Sequence, residues 1–389
     1  MIRLILVLFL VFVFNNVTAQ TKPKLSKEAD TVSLKPQDSL KISVKPKPKK
    51  NILDKLDPKT KGEKAKIEDY LIISHKNDTT FVDTTLTIQK EYKFNYLRKD
   101  NFGLIPFSNL GQTYNSLTYN FENTNLMPSF GARARHFNYM EVEDIYYYRV
   151  PTPLTELLYK SGFEQGQLAD SFFTVNTSPQ LNFSIAYKGL RSLGKYQHLL
   201  TSTGNFRFTT NYQTKNNRYK VRMHIVTQDL LNQENGGLQE TSVENFINGE
   251  EEFLDRSILE VNFENAESVL KGKRFHLEHN YSIIKKKDSL SKNKLSVGHI
   301  MSLKDKSYQY NQSNAATSYF GSAFNTSSFK DRVTLENFYN QFQLNYSNHI
   351  IGDLQFNISS NNYNYGYNKL VILNNNKITN RLKGDVFSA

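Results

Sequence analysis

The chain has no cysteine. Disulfides are therefore excluded, a lipid anchor of the bacterial lipoprotein type has no attachment atom, and the fold must hold by backbone pairing and burial. Long apolar runs are also lacking. The one sustained stretch, Leu4 to Phe14, follows a lone cation at Arg3 and closes on Val17, Thr18 and Ala19. It is too short to span a bilayer as a helix and no stop-transfer pattern follows it, so residues 1–19 read as a cleaved signal peptide and the chain is expected to be exported. Helical periodicity is sustained nowhere, although 154–160 and 265–271 are candidate single turns.

Acidic charge is scarce relative to basic, with a formal net charge of +12. The excess is local. Residues 20–66 hold fourteen Lys, no Arg and six Asp plus Glu; setting aside that +8 and Arg3, the rest of the chain carries only +3. Half of the ten prolines lie in the same segment, which includes the run KPKPKK from Lys45 to Lys50. A stretch with so few apolar residues cannot bury a core, so 20–66 is expected to be a disordered basic leader in the periplasm. It can serve as a linker or as a docking arm for a periplasmic or outer-membrane protein partner. With the remainder nearly neutral, nucleic acid is not an expected partner.

Alternation is what the sequence does have. Leu181, Phe183, Ile185 and Tyr187 alternate with Asn182, Ser184 and Lys188, and Phe206, Phe208 and Tyr212 with Arg207, Thr209, Asn211 and Gln213; 219–225 and 275–283 repeat the pattern. Side chains alternate faces along a strand, so each segment is a ribbon with one greasy and one wet face. Further strand candidates are Ile258 to Phe263, Leu295 to Leu303, Phe342 to Tyr346, Leu354 to Ile358 and Leu382 to Phe387. Most approach the ten or so residues with which a tilted strand crosses a bilayer. The expected fold is all-β, an antiparallel transmembrane β-barrel over 111–389. A small extended module or plug-like segment is expected at 67–110, with strands at Tyr70 to Ser74 and Phe81 to Ile88. Candidate strands at Thr113 to Phe121 and Ile145 to Val150 lead to Pro151 and Pro153, which cannot donate to a ladder.

The clearest hairpin is 204–228. A two-residue turn at Asn216 and Asn217 pairs Arg207 with Val226, Asn211 with Arg222 and Gln213 with Lys220, all on the wet face. Tyr212 and Tyr219 then fall on the apolar face beside the turn, and Tyr187 and Tyr346 close the apolar faces of their own strands, as an interfacial aromatic girdle requires. Residues 229–255 and 304–331 are expected as long loops.

Four stretches resemble a porin family found in flavobacteria and their relatives: TTFVDTTLTIQKEYKFNYLRKDNF (79–102), FGARARHFNYMEVEDIYYYRVPTPLTEL (130–157), QLNFSIAYKGLRSLGKYQHLLTSTGNFRFTTNY (180–212) and LDRSILEVNFENAESVLKGKRFHLEH (254–279). The resemblance implies an outer-membrane β-barrel and brings no catalytic residues. Members of that family are considerably longer, and the chain ends in Ser388 and Ala389 rather than in a terminal aromatic. The barrel is therefore expected to be incomplete, an open sheet with its last strand unpaired.

Other chemistry is poorly supported. The run from Gly189 to Tyr196 approaches a phosphate-binding loop, but Tyr196 stands where Ser or Thr must hold magnesium. His276 and His279 are three apart, hence on opposite faces of a strand. Ser184, His198 and Asp170 could serve a lipid-acting barrel enzyme, yet no Gly-x-Ser-x-Gly elbow is present. No enzyme, cofactor or metal is expected. On the wet face, Lys188, Arg207, Lys220, Arg222 and His224, opposed by Glu260 and Glu278, are expected to line a water-filled lumen and set selectivity. A polar change at Arg222 is expected to leave folding nearly intact. The expected function is passive diffusion of small polar solutes across an outer membrane whose lipid surrounds the apolar face. The alternatives are a non-channel structural subunit of an outer-membrane complex and, third, the lipid-acting enzyme.

Overall fold

The computed structural model describes residues 65–85, 87–119, 137–284, 293–314, 316–320, 329–348, 350, 352–373 and 376–388. The signal peptide and nearly all of the basic leader lie outside these. Ahead of residue 150 the chain forms short elements: β1 (Leu71–Ile73), β2 (Thr79–Phe81), β3 (Leu104–Pro106), β4 (Tyr114–Ser116) and β5 (Tyr147–Arg149), with 3-10 turns at Ile67–Asp69, Ile88–Lys93 and Val142–Asp144. β1 pairs with both β2 and β5, and β3 pairs with β4. The strand expected at Phe81 to Ile88 stops at Phe81, and a 3-10 turn begins at Ile88.

The rest is one ten-stranded antiparallel meander, with a nine-residue α-helix, Glu240–Asn248, that the periodicity did not suggest. Its strands are β6 (Leu154–Gly162), β7 (Gly166–Ser178), β8 (Leu181–Ser192), β9 (Thr201–Gln213), β10 (Tyr219–Glu234), β11 (Ala266–Ile284), β12 (Asn293–Gln312), β13 (Phe329–Asn348), β14 (Gly352–Leu373) and β15 (Asn376–Ser388). Each pairs with its sequence neighbours, and the edge strands β6 and β15 each pair on one side only, so the sheet is open. Residues 111–153, expected among the barrel strands, supply β4 and β5 of the smaller sheets instead. The expected turns at 154–160 and 265–271 are strand, because both segments ladder in register with a neighbour. Ile258 to Phe263 is not a strand: it closes the β10–β11 connection through 3-10 turns and a single bridge, Leu238 to Val261. The expected loop at 304–331 is strand at both ends, since β12 runs to Gln312 and β13 begins at Phe329.

The β9–β10 register is the expected one, with Arg207 opposite Val226, Asn211 opposite Arg222 and Gln213 opposite Lys220. The turn is wider than two residues. Thr214 and Tyr219 close it through a 3.0 Å backbone hydrogen bond, and Asn217 takes the left-handed conformation at φ 57°. Asn tolerates that region better than most residues.

Polarity is inverted over part of the sheet. On one face, here the outer, register rows carry Phe208, Ile225, Phe275, Leu303 and Phe338, then Thr210, Met223, Leu277 and Met301. Many of these are exposed; Ile185 is 48% and Phe342 58% accessible. On the inner face Asn182, Ser184, Lys188, Arg222 and His224 are buried. One row beyond Ile225 the outer face turns polar over β10 to β13, with Thr227, Lys273, Asp305 and Glu336 abreast and Phe206 on the β9 side, while the inner face there carries Arg207, Arg274 and Lys304 beside Val226, and Leu230 with Leu270 two rows further on. From Phe275 to Ile283 the apolar stretch covers about 26 Å of strand at the usual rise of 3.3 Å per residue.

Candidate functional site

The buried polar face is covered by residues 66–150. Two apolar clusters seat this segment where the inner face is apolar: Tyr96, Leu97 and Tyr114 against Leu168 and Leu190, and Tyr139 against Leu230 and Leu270. Glycine makes the second approach close. A Cβ at Gly272 would collide with the Tyr139 ring and hydroxyl.

Beyond the clusters the contacts are polar and specific. Asn109 donates to the Ser192 and Leu199 carbonyls at 3.2 and 2.7 Å, and Thr201 donates to the Leu110 carbonyl at 2.5 Å. Gln228 accepts from the Met140 amide and donates to its carbonyl, both at 2.9 Å. The Tyr147 hydroxyl meets His224 Nδ1 at 2.8 Å, and Arg274 Nε donates to the other ring nitrogen at 3.0 Å. His224 itself stacks on His276, ring centroids 4.8 Å apart. Arg222 donates to the Ser74 and His75 carbonyls at 2.6 and 3.0 Å and pairs with Glu278 at 2.5 Å. Backbone groups of the segment at Ser74, His75, Leu110 and Met140 thus take hydrogen bonds from the wall.

One carboxylate of the segment meets three wall cations. Glu141 lies 2.7 Å from Lys304, 3.4 Å from Arg274 and 3.5 Å from Lys306. The 3-10 turn that follows it fixes its backbone, since the Glu141 amide donates to Asp144 at 3.0 Å. Partial burial alone would raise this carboxyl, but Lys304, then Lys306 and Arg274, outweigh it and hold it below its ordinary 4.5. A carboxyl depressed on folding contributes stability in full above its unfolded value, and that contribution is lost as pH falls through the lower folded value. Acidification from pH 6 to below 4.5 should therefore loosen the segment at Glu141. Limited proteolysis across that range is expected to show new cleavage between 100 and 150 at the acid end, and Glu141→Gln should show it already at pH 6.

Of the residues expected to set selectivity, Lys188, Arg207, Arg222, His224 and Glu278 do share the inner face. Lys188, Arg222 and His224 are, however, buried beneath the chain's own segment rather than facing open water. Arg207 pairs with Asp170 at 3.4 Å. Lys220 sits in the same alternation but is exposed beside the turn. Glu260 is not on a strand at all: it is exposed in the β10–β11 connection, where its amide donates to Ser242. The β pattern read there was a loop with fortuitous alternation. Arg274, Lys304, Lys306 and Glu141 join the others on the inner face, and alternation alone does not distinguish these four from other polar positions.

Tyr187, Tyr212, Tyr219 and Tyr346 all fall on the outer face by register. The outer face also carries a polar seam, in which His279 meets His299 at 2.9 Å and His299 meets Asn340 at 2.5 Å. These groups satisfy one another, as polar groups on an apolar surface must. His276 lies on the opposite face, as the spacing required. The segment from Gly189 to Tyr196 leaves β8 without opening a helix. Ser184, His198 and Asp170 are engaged separately, by Thr174 and Asn182, by the Ala266 carbonyl and by Arg207.

No curated protein matches the chain. Residues 66–389 match the family described as "Putative porin", a span that takes in both the segment and the sheet it covers, and the chain belongs to that family.

Proposed function

We propose that this chain forms a wall of an outer-membrane channel for passive diffusion of small polar solutes, exported by residues 1–19, with 66–150 as a plug on its inner face. The observation that supports this reading best is the inverted polarity: apolar side chains exposed outside, as at Ile185, Ile225 and Phe342, and polar and charged ones buried inside, as at Asn182, Lys188, Arg222, His224 and Arg274. A water-soluble sheet has no use for that inversion, whereas lipid outside and a polar interior demand it. The aromatic residues at the turn end of the apolar zone are placed as an interfacial girdle would be. An all-β chain crosses a bilayer with strands, so it needs no apolar helix.

The inner face carries Lys188, Arg207, Arg222, Arg274, Lys304 and Lys306 near its middle, with Asp170, Glu278 and Glu141 paired among them. Fixed charge between low-dielectric walls concentrates counter-ions. Full-length protein in a planar lipid bilayer is expected to give discrete conductance steps, with a reversal potential in a salt gradient that favours anions. Complete absence of steps would overturn the channel reading. It would favour a structural subunit, for which the plug's extensive bonding to the wall is the supporting observation.

A further inference from the structure

We infer that the inner faces of β13 and β14 bind a neutral polyhydroxylated solute, a linear oligosaccharide, along a charge-free track of carboxamides and tyrosine rings. The inference rests on the channel reading for which face a solute meets, and it deepens that reading by naming the solute class. Register fixes the track. Lys304 stands opposite Asn337 and Asn337 opposite Tyr363, so the odd-numbered positions of both strands share the face of the wall cations. Those positions hold no charged residue from Val333 to Asn345 or from Gln355 to Tyr367. In the same rows the wall from β8 to β12 carries Lys188, Arg207, Arg222, Arg274 and Lys304. The inner face is thus divided lengthwise into a charged part and a neutral one.

The chemistry of the neutral part follows from what its groups have left to offer. A carboxamide presents a donor and an acceptor side by side, as the hydroxyls of a sugar do, whereas ammonium and guanidinium groups only donate. Asn337 donates to Asn361 at 2.8 Å, Gln355 to Asn357 at 3.2 Å, and the Tyr339 hydroxyl to Gln341. In each pair the amide nitrogen of the accepting residue has no acceptor of its own among the described residues, and Gln343 makes no side-chain hydrogen bond there at all. Gln343 instead lies across Gly298 of β12, where a Cβ would collide with its amide. Asn357, Asn361, Gln341 and Gln343 are part-exposed, so a solute at the inner face can reach them. Beyond the amides stand Tyr365 and Tyr367, edge to face with ring centroids 6.2 Å apart, the second 42% accessible. Aromatic rings supply a flat apolar surface with a polar tip, which suits the C–H face and the hydroxyl rim of a pyranose. From Gln355 to Tyr367 the track runs about 40 Å at 3.3 Å per residue. That is room for a chain of sugars lying along the strands, whereas an ion finds no opposite charge there.

The test is saturation-transfer NMR of full-length protein, in a detergent without a sugar headgroup, titrated with maltohexaose, cellohexaose and xylohexaose. At least one hexasaccharide should give saturable transfer, and its monosaccharide should bind at least tenfold more weakly. Gln341→Ala with Asn361→Ala should weaken the hexasaccharide about tenfold, the worth of one or two neutral hydrogen bonds. Asn362→Ala, on the outer face of β14, should leave it unchanged. If the double variant fails to fold, Gln343→Ala removes no hydrogen bond of the wall and should still weaken binding several-fold. No saturable transfer from any of the three hexasaccharides would overturn the proposal, as would an affinity indifferent to Gln343→Ala and to the double variant, or one lost equally in Asn362→Ala. The readout is binding rather than current. A protein that binds the sugar and never conducts keeps this site and loses the channel, and one that conducts without binding it does the reverse.

Discussion

Arg222→Met is expected to cost about 3–5 kcal/mol, the range for removing one partner of a buried ion pair and leaving the other uncompensated. The Arg222 side chain is 6% exposed and that of Glu278 16%, and the two meet at 2.5 Å. The same guanidinium satisfies the carbonyls of Ser74 and His75 and lies 5.0 Å from the centre of the Tyr147 ring. Removing it strands a carboxylate, takes a donor from the His75 carbonyl and one of two from the Ser74 carbonyl, which keeps the Asn77 amide, and unpins the turn after β1. This reverses the expectation that Arg222, as a solvated lumen residue, would tolerate change. Urea unfolding of protein refolded into lipid vesicles measures the loss, and a change under 1 kcal/mol would show that the plug contributes nothing at this point. The double variant Arg222→Met with Glu278→Gln removes the stranded charge and should recover a substantial part of the stability. If it recovers nothing, the two carbonyls rather than the ion pair account for the cost.

The contrast between Arg222 as expected and as found shows which features period-two reading can reach. Alternation is local, so it placed β8, β9 and β10 on the right faces and set the β9–β10 register from the turn outward. It failed at 266–271, where Leu270 points inward and Glu267 and Lys271 outward, the reverse of the neighbouring stretch. The strand is continuous there, but it leaves the apolar zone, and a reader tracking greasy-outside polarity loses it. Ile258 to Phe263 failed for the opposite reason, since six residues of loop can alternate by chance. What covers the wet faces had no periodic signal at all. The segment meets the wall through backbone groups at Leu110 and Met140 and through the side chains of Asn109, Glu141, Tyr147 and Arg149, and contacts so scattered leave no periodic pattern. Arg274 was readable as inward-facing from its phase with His276. That it would meet Lys304 and Lys306 depended on the β11–β12 register, which has no short turn to fix it.

Met223→Lys should destabilise the protein by about 2–4 kcal/mol in lipid, the measured range for a cation at the midplane of a barrel's lipid face. Met223 is on the outer face between Thr210 and Leu277, two residues short of Ile225, where the apolar zone ends. Its neighbours offer no carboxylate, so an ammonium there must be lost to hydrocarbon or reach along its stem for the interface. The control lies on the same strand and the same face. Thr227, four residues on, has Phe206 on its β9 side but Lys273 on its β11 side, with Asp305 and Glu336 beyond, and Thr227→Lys should change stability by less than about 1 kcal/mol, as for ordinary surface substitutions. Both residues are in the strand interior and pair with the same two neighbours, β9 and β11, so strand propensity and backbone bonding cannot separate them. Only the medium outside the sheet can. Equal tolerance of lysine at 223 and 227 in vesicles would mean that water, not lipid, bathes the whole outer face, and the channel would lose its wall. A loss confined to Met223 would instead place the edge of the bilayer between Met223 and Thr227, where the outer face passes from Phe275 and Leu303 to Lys273 and Asp305.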